Sequence, residues 1–144
     1  MSYFGAAIGT FIGMMIGLLV FTNSWRFGFL PKDYDFVHSY GNLFVKTDKK
    51  MITYIIRSFV GMFFHPVIFV YVWGETGFLK LNFYNNTILS AVILLLVESI
   101  LFSLGIWFDL LKISPEELKL RVISLQLGVH LITGVFMGYF FTVF

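Results

Sequence analysis

The sequence predicts an all-α, polytopic membrane protein. Four transmembrane helices are expected, over about residues 3–22, 51–73, 87–108 and 122–144, with a surface-lying segment at 26–50 between the first and second. Three observations carry this prediction. The 144 residues are 58% hydrophobic and 12% charged, about half the charge of an ordinary soluble domain. Apolar runs of about twenty residues recur four times, the length that crosses a hydrocarbon core about 30 Å thick. The basic residues gather in alternate connections, as they do in multi-pass proteins. The chain forms one domain, 1–144.

The first span, MSYFGAAIGTFIGMMIGLLVFT, carries no charge before Arg26. It lacks the basic start and short core of a cleaved signal, so it is read as a retained helix. Gly5, Gly9, Gly13 and Gly17 recur at every fourth position. On a helix they form one ridge, along which another backbone can approach closely. The ladder is similar in outline to that of glycine-zipper four-span proteins of the mitochondrial import and complex-assembly type. That resemblance is confined to the first span and implies no residue roles.

Trp25 closes span one at the depth of an interfacial anchor, as Trp73 and Trp107 do for the next two spans. Residues 26–50 contain Pro31, which stops a continuing helix, and too many apolar residues for a free linker. They are expected to lie on the membrane surface with aromatics down and lysines toward the headgroups. His38 is expected to be an exposed surface residue there.

Span two places Arg57, Gly61 and His65 on one face, with Pro66 set to kink the helix or loosen its ladder. The sequon Asn85-Asn86-Thr87 stands at the mouth of span three and is read as a chance match. Glu98 is the only charge inside span three. Ser114, Pro115 and Glu117 have the spacing of a helix start with a capping box. Span four aligns Gln126, His130, Gly134 and Gly138 on one ridge. This second small-residue packing face is expected to meet the glycines of span one or the Arg57–His65 face of span two.

Residues 23–50 hold Arg26, Lys32, Lys46, Lys49 and Lys50, and residues 109–121 hold Lys112, Lys119 and Arg121; the middle connection has Lys80 alone. Eight against one predicts loops 23–50 and 109–121 inside and both termini outside. The membrane would be a mitochondrial inner membrane or a prokaryotic plasma membrane.

Arg57, His65, Glu98, Gln126 and His130 are the buried polar candidates, since ionisable groups in a span normally face the bundle interior and pair. Counting depth along each span predicts an Arg57–Glu98–His130 cluster with His65 above it. It also separates the two histidines by about five residues, roughly 7 Å, which argues against a haem held by His65 and His130. Bound lipid is expected. No cysteine is present, which excludes disulfide and thiolate chemistry. Asp33 and Asp35 near His38 do not make a metal site, and the net charge of +2 does not suggest nucleic acid. No catalytic constellation is seen.

The function expected first is a non-catalytic accessory subunit of a larger membrane complex, such as a respiratory or other energy-converting assembly. Its partners would be other membrane subunits and lipids, packed through the glycine ridges. The alternative is a small homo-oligomeric transporter or channel that uses Glu98 and His130 as a proton or ion site.

Overall fold

The computed structural model describes residues 3–74, 77–81 and 83–144; Glu75 of the middle connection lies outside them. The described residues are all-helical: α1 (Tyr3–Asn23), α2 (Phe36–Gly41), α3 (Lys50–Val67), α4 (Thr87–Trp107) and α5 (Lys119–Val143). Four helices, α1 and α3 to α5 with their short extensions, are long and apolar enough to cross a membrane. The two most extensive interfaces are α1 with α5 and α4 with α5. α3 rests on α1 and α2, so the lateral order is α3, α1, α5, α4.

The α1–α5 seam is antiparallel and runs at backbone distance. A Cβ placed on Gly5 or Gly9 would lie 2.3 Å from the carbonyl oxygen of Phe140 or Phe136. On Gly13 it would lie 2.5 Å from the Thr133 Cα. No side chain fits there, because the obstacle is main chain that cannot turn aside. Gly17 faces only the Val129 side chain. The glycine ladder of α1 is therefore filled from within the chain.

The glycine half of the second face, Gly134 and Gly138, meets neither α1 nor α3, whereas its other half, Gln126 and His130, turns to the Arg57–His65 face of α3. A Cβ on Gly138 would lie 2.6 Å from the Ile88 Cα, and one on Gly134 2.8 Å from the Val92 Cα, so the glycine half holds α4. The reason is angular. One residue advances a helix by about 100°, so the line through Val129, Thr133 and Phe136 turns toward α1 while Gly134 and Gly138 turn away from it.

Pro66 removes one hydrogen-bond donor from α3 without ending the helix. The ladder widens to a π-helical stretch over Ile68–Trp73. The Gly74 N–H donates to the Phe69 carbonyl at 2.7 Å. The chain then doubles back, and the N–H groups of Phe78, Leu79 and Leu81 donate to the carbonyls of Tyr71, Val72 and Trp73. The wide helix end is thereby capped by backbone. Trp73 is half-buried, and its Nε1 donates to the Ser90 carbonyl at 3.1 Å, which ties α3 to α4. Trp25 and Trp107 remain exposed, with Arg26 and Lys32 over the Trp25 ring. Asn86 of the sequon caps α4 by accepting from the Leu89 N–H at 3.0 Å.

The basic end corrects three expectations. The 26–50 segment does not simply lie on a surface: Leu30, Phe36 and Val37 are buried with Phe21, Ile106, Ile113 and Val122. Phe36 stacks on Phe21 at 4.6 Å, and Tyr40 meets Phe102 edge-on at 5.1 Å. Only part of the apolar set, including Phe27 and Phe44, faces outward. The segment closes the mouth between α1, α4 and α5, and burying those rings there removes more apolar area from water than laying them flat.

His38 is half-buried, with Nδ1 2.7 Å from the Thr53 Oγ1 and Nε2 3.3 Å from the Asn42 amide nitrogen. Ser114 makes no capping box; its Oγ lies 2.9 Å from the Tyr34 hydroxyl, which donates to the Ile113 carbonyl. A 3-10 turn over Glu116–Leu118 starts the last helix instead. Tertiary contact between the two loops thus takes the serine that local sequence assigns to the cap.

Asp35 organises this layer. It caps α2 through the His38 N–H, accepts from the Tyr54 hydroxyl and lies 3.3 Å from the Lys50 Nζ. Burial alone would raise its pKa, but the Tyr54 hydroxyl, the His38 N–H and Lys50 together hold it below the usual value of 3.8.

Two predictions follow from this packing. In detergent, Gly9→Ala should lower the melting temperature and Gly9→Leu should separate α1 from α5, against about 1–3 kcal/mol for ordinary overpacking. Gly128→Ala, with nothing within 4 Å, should be near neutral. Because folding depresses the Asp35 pKa, its stabilising contribution is full above 3.8 and is lost as pH falls through the lower folded value. The melting-temperature gap between wild type and Asp35→Asn should therefore be open at pH 7 and close at pH values below 3.8.

A buried polar cluster as the candidate functional site

Arg57, Gly61 and His65 share one face of α3 because they are spaced four apart. That face looks into a cavity of about 110 Å³, which has room for several waters. α4 adds Glu98, and α5 adds Gln126, His130 and Thr133. α2 contributes Tyr40, and α1 contributes Met14. All five polar residues singled out from the sequence line this one space. Tyr40 and Thr133 were not among them. Tyr40 lies in the segment read as surface-lying, and its hydropathy gives no signal of an inward turn.

The pairing differs from expectation. The partner of Glu98 is His65, not Arg57: the His65 Nδ1 and the Glu98 Oε2 are hydrogen-bonded. The rings of His65 and His130 meet edge-on with centroids 5.7 Å apart. The expected depth difference between the two histidines is thus not found. The first turn of α3 lies in the basic-end layer, where the Thr53 main chain packs against Gly41 of α2. Depth counted from residue 51 therefore places His65 too far along. The same offset leaves Arg57 beside α2, with its Cζ 5.7 Å from the Tyr40 ring centroid, a cation–π distance.

The His130 Nδ1 is 2.9 Å from the Gln126 carbonyl oxygen, which can only accept. Nδ1 therefore carries the hydrogen, and in the neutral ring Nε2 is an acceptor. Arg57 is 7% exposed, yet its Nε and one Nη have no hydrogen-bond partner. The Glu98 Oε1 is likewise buried and unpartnered. These are expensive groups to leave inside an apolar bundle.

A haem does not fit between the histidines as they stand. The objection is now size rather than depth, since 110 Å³ is well below the roughly 300–1,000 Å³ of a cofactor pocket. Among the described residues no group of three or more His, Cys, Asp or Glu is placed to hold a metal ion.

Removing one member of a buried pair leaves a bare charge, at a penalty of about 3–5 kcal/mol, whereas removing both is milder. At pH 8, His65→Ala should therefore lower the melting temperature more than the double variant His65→Ala/Glu98→Gln. Equal or reversed losses would show that the two side chains are not a pair.

Comparison of the chain with protein-family models, with curated proteins and with solved structures returns no match.

Proposed function

We propose that the chain is a small membrane transporter or channel, working as a homo-oligomer, in which His65, Glu98 and His130 form a proton-handling site. The observation that carries this reading is the imidazole–carboxylate pair, with a second imidazole against it, facing a cavity of mixed polar and apolar lining within four apolar helices. Intramembrane carboxylates and imidazoles in contact are the parts of which proton relays are made. In this reading the His130 Nε2, whose ring is held by the Gln126 carbonyl and lies against the His65 ring, is the next acceptor for a proton on the pair. The basic residues of 23–50 and 109–121 lie at one end of the bundle, where Arg121 donates to the Gly28 and Phe29 carbonyls. We assign that end to the inside and both termini to the outside, in a prokaryotic plasma membrane or a mitochondrial inner membrane.

The accessory-subunit reading keeps one supporting observation. The span Lys50–Trp73, α3 with its π-helical end, is the least covered, 22% buried against 44% for the α1 span, and it turns Phe59, Phe63 and Tyr71 outward. Such a face suits another membrane subunit or lipid. The glycine ridges no longer speak for it, because the chain itself fills them.

Reconstitution separates the two readings. Vesicles containing the wild type should dissipate an imposed pH gradient, read by an entrapped pH-sensitive dye. Glu98→Gln should abolish the flux while keeping its elution volume and helicity. A wild type without flux, purified gently from native membranes with several different chains, would favour the subunit reading.

A further inference from the structure

Arg57 is the one buried ion of the site that the proton-handling reading does not use. Its guanidinium lines the cavity, is 7% exposed, and presents an Nε and an Nη that donate to nothing. Glu98 is committed to His65 through Oε2. The charged or titratable side chains that face this cavity come from each neighbouring element in turn: none from α1, Tyr40 from α2, Arg57 and His65 from α3, Glu98 from α4 and His130 from α5. Among the described residues no second carboxylate lines the cavity.

The charge balance is simple. With His65 neutral and Glu98 ionised, Arg57 and Glu98 sum to zero. When the His65–Glu98 pair takes up a proton, the cavity carries one positive charge with no counter-charge. In a medium of low dielectric such an excess is strongly disfavoured. A small anion entering beside the guanidinium restores neutrality, and the free N–H groups are the charge-assisted donors it needs. Gln126 and Thr133 add short polar side chains to the same wall.

We propose that the cavity is a proton-coupled binding site for a small anion, of halide, nitrate or short carboxylate size, with Arg57 as the anion's anchor and the His65–Glu98 pair as the proton's. The proposal rests on the proton-handling reading and names its substrate class. No covalent bond to the anion forms or breaks. One proton is added to the imidazole–carboxylate pair, one anion accepts hydrogen bonds from the guanidinium, and both leave together. The net charge of the site is the same before and after. The size limit follows from the cavity of about 110 Å³.

The test is anion-dependent thermal stability of the full chain in detergent, in gluconate buffer titrated with chloride, nitrate, formate or acetate at several pH values. At least one of these anions should raise the melting temperature saturably. Its apparent affinity should tighten as pH falls, by up to roughly tenfold per pH unit where one proton accompanies one anion. Arg57→Gln should lose the anion effect. Glu98→Gln, nearly isosteric, should keep it and lose its pH dependence, since the guanidinium is then never balanced. The proposal is overturned if none of the four anions shifts the wild type at any pH. It also fails if Glu98→Gln, folded as judged by elution and helicity, leaves the pH dependence unchanged. Should Arg57→Gln not fold, the Glu98→Gln result decides alone. Proton flux that persists in gluconate alone would leave the proton-handling reading standing and remove the anion.

Discussion

The close approach of α1 to α5 is the constraint on which the rest of the structure depends. Three of the α1 glycines stand against main chain of α5 at distances that exclude any Cβ. In lipid there is little hydrophobic gain in joining two apolar helices, so contact of this kind supplies the dispersion and the fixed register that hold them. Once the seam is set, the opposite small-residue face of α5 receives α4. α3 is left to lean on α1, with its Gly61 against the flexible Met14 side chain. The space that remains between α3, α4 and α5 is where the charged residues meet.

That space reconciles two opposing demands. Ionisable groups are disfavoured in an apolar interior, yet Arg57, His65, Glu98 and His130 all line this cavity. The structure gives the Glu98 Oε2 an imidazole and the His130 Nδ1 a backbone carbonyl, and it leaves the Glu98 Oε1 and part of the guanidinium unmet. A cluster serving only to fix helix register would gain from pairing Arg57 with the carboxylate directly. The arrangement found pairs the carboxylate with an imidazole and keeps the guanidinium apart.

Much of the architecture was legible in the residues. Hydropathy and length mark the four helices, because lipid imposes the same length on each. The spacing of Arg57, Gly61 and His65 places them on one face, and the shortage of other intramembrane charge gathers the polar residues. Three things were not legible, each for a physical reason. Which helix fills a glycine ridge depends on rotation about the helix axis, which an i+4 pattern alone does not give. Depth counting assumes that every span starts at the same level, and α3 starts inside the α2 layer. Ser114 is a good cap by local rules, but the Tyr34 hydroxyl, eighty residues away in the chain, takes it.

The decisive quantity is the identity of the group that holds Glu98. Solid-state NMR on the protein in lipid bilayers, with ¹⁵N in the histidine and arginine side chains and ¹³C in the glutamate carboxyls, measures it directly. A strong dipolar coupling between the Glu98 carboxyl carbon and the His65 Nδ1, with none to the Arg57 guanidinium nitrogens, is the result this account predicts. A carboxyl carbon coupled to the guanidinium, or to neither group, would contradict it.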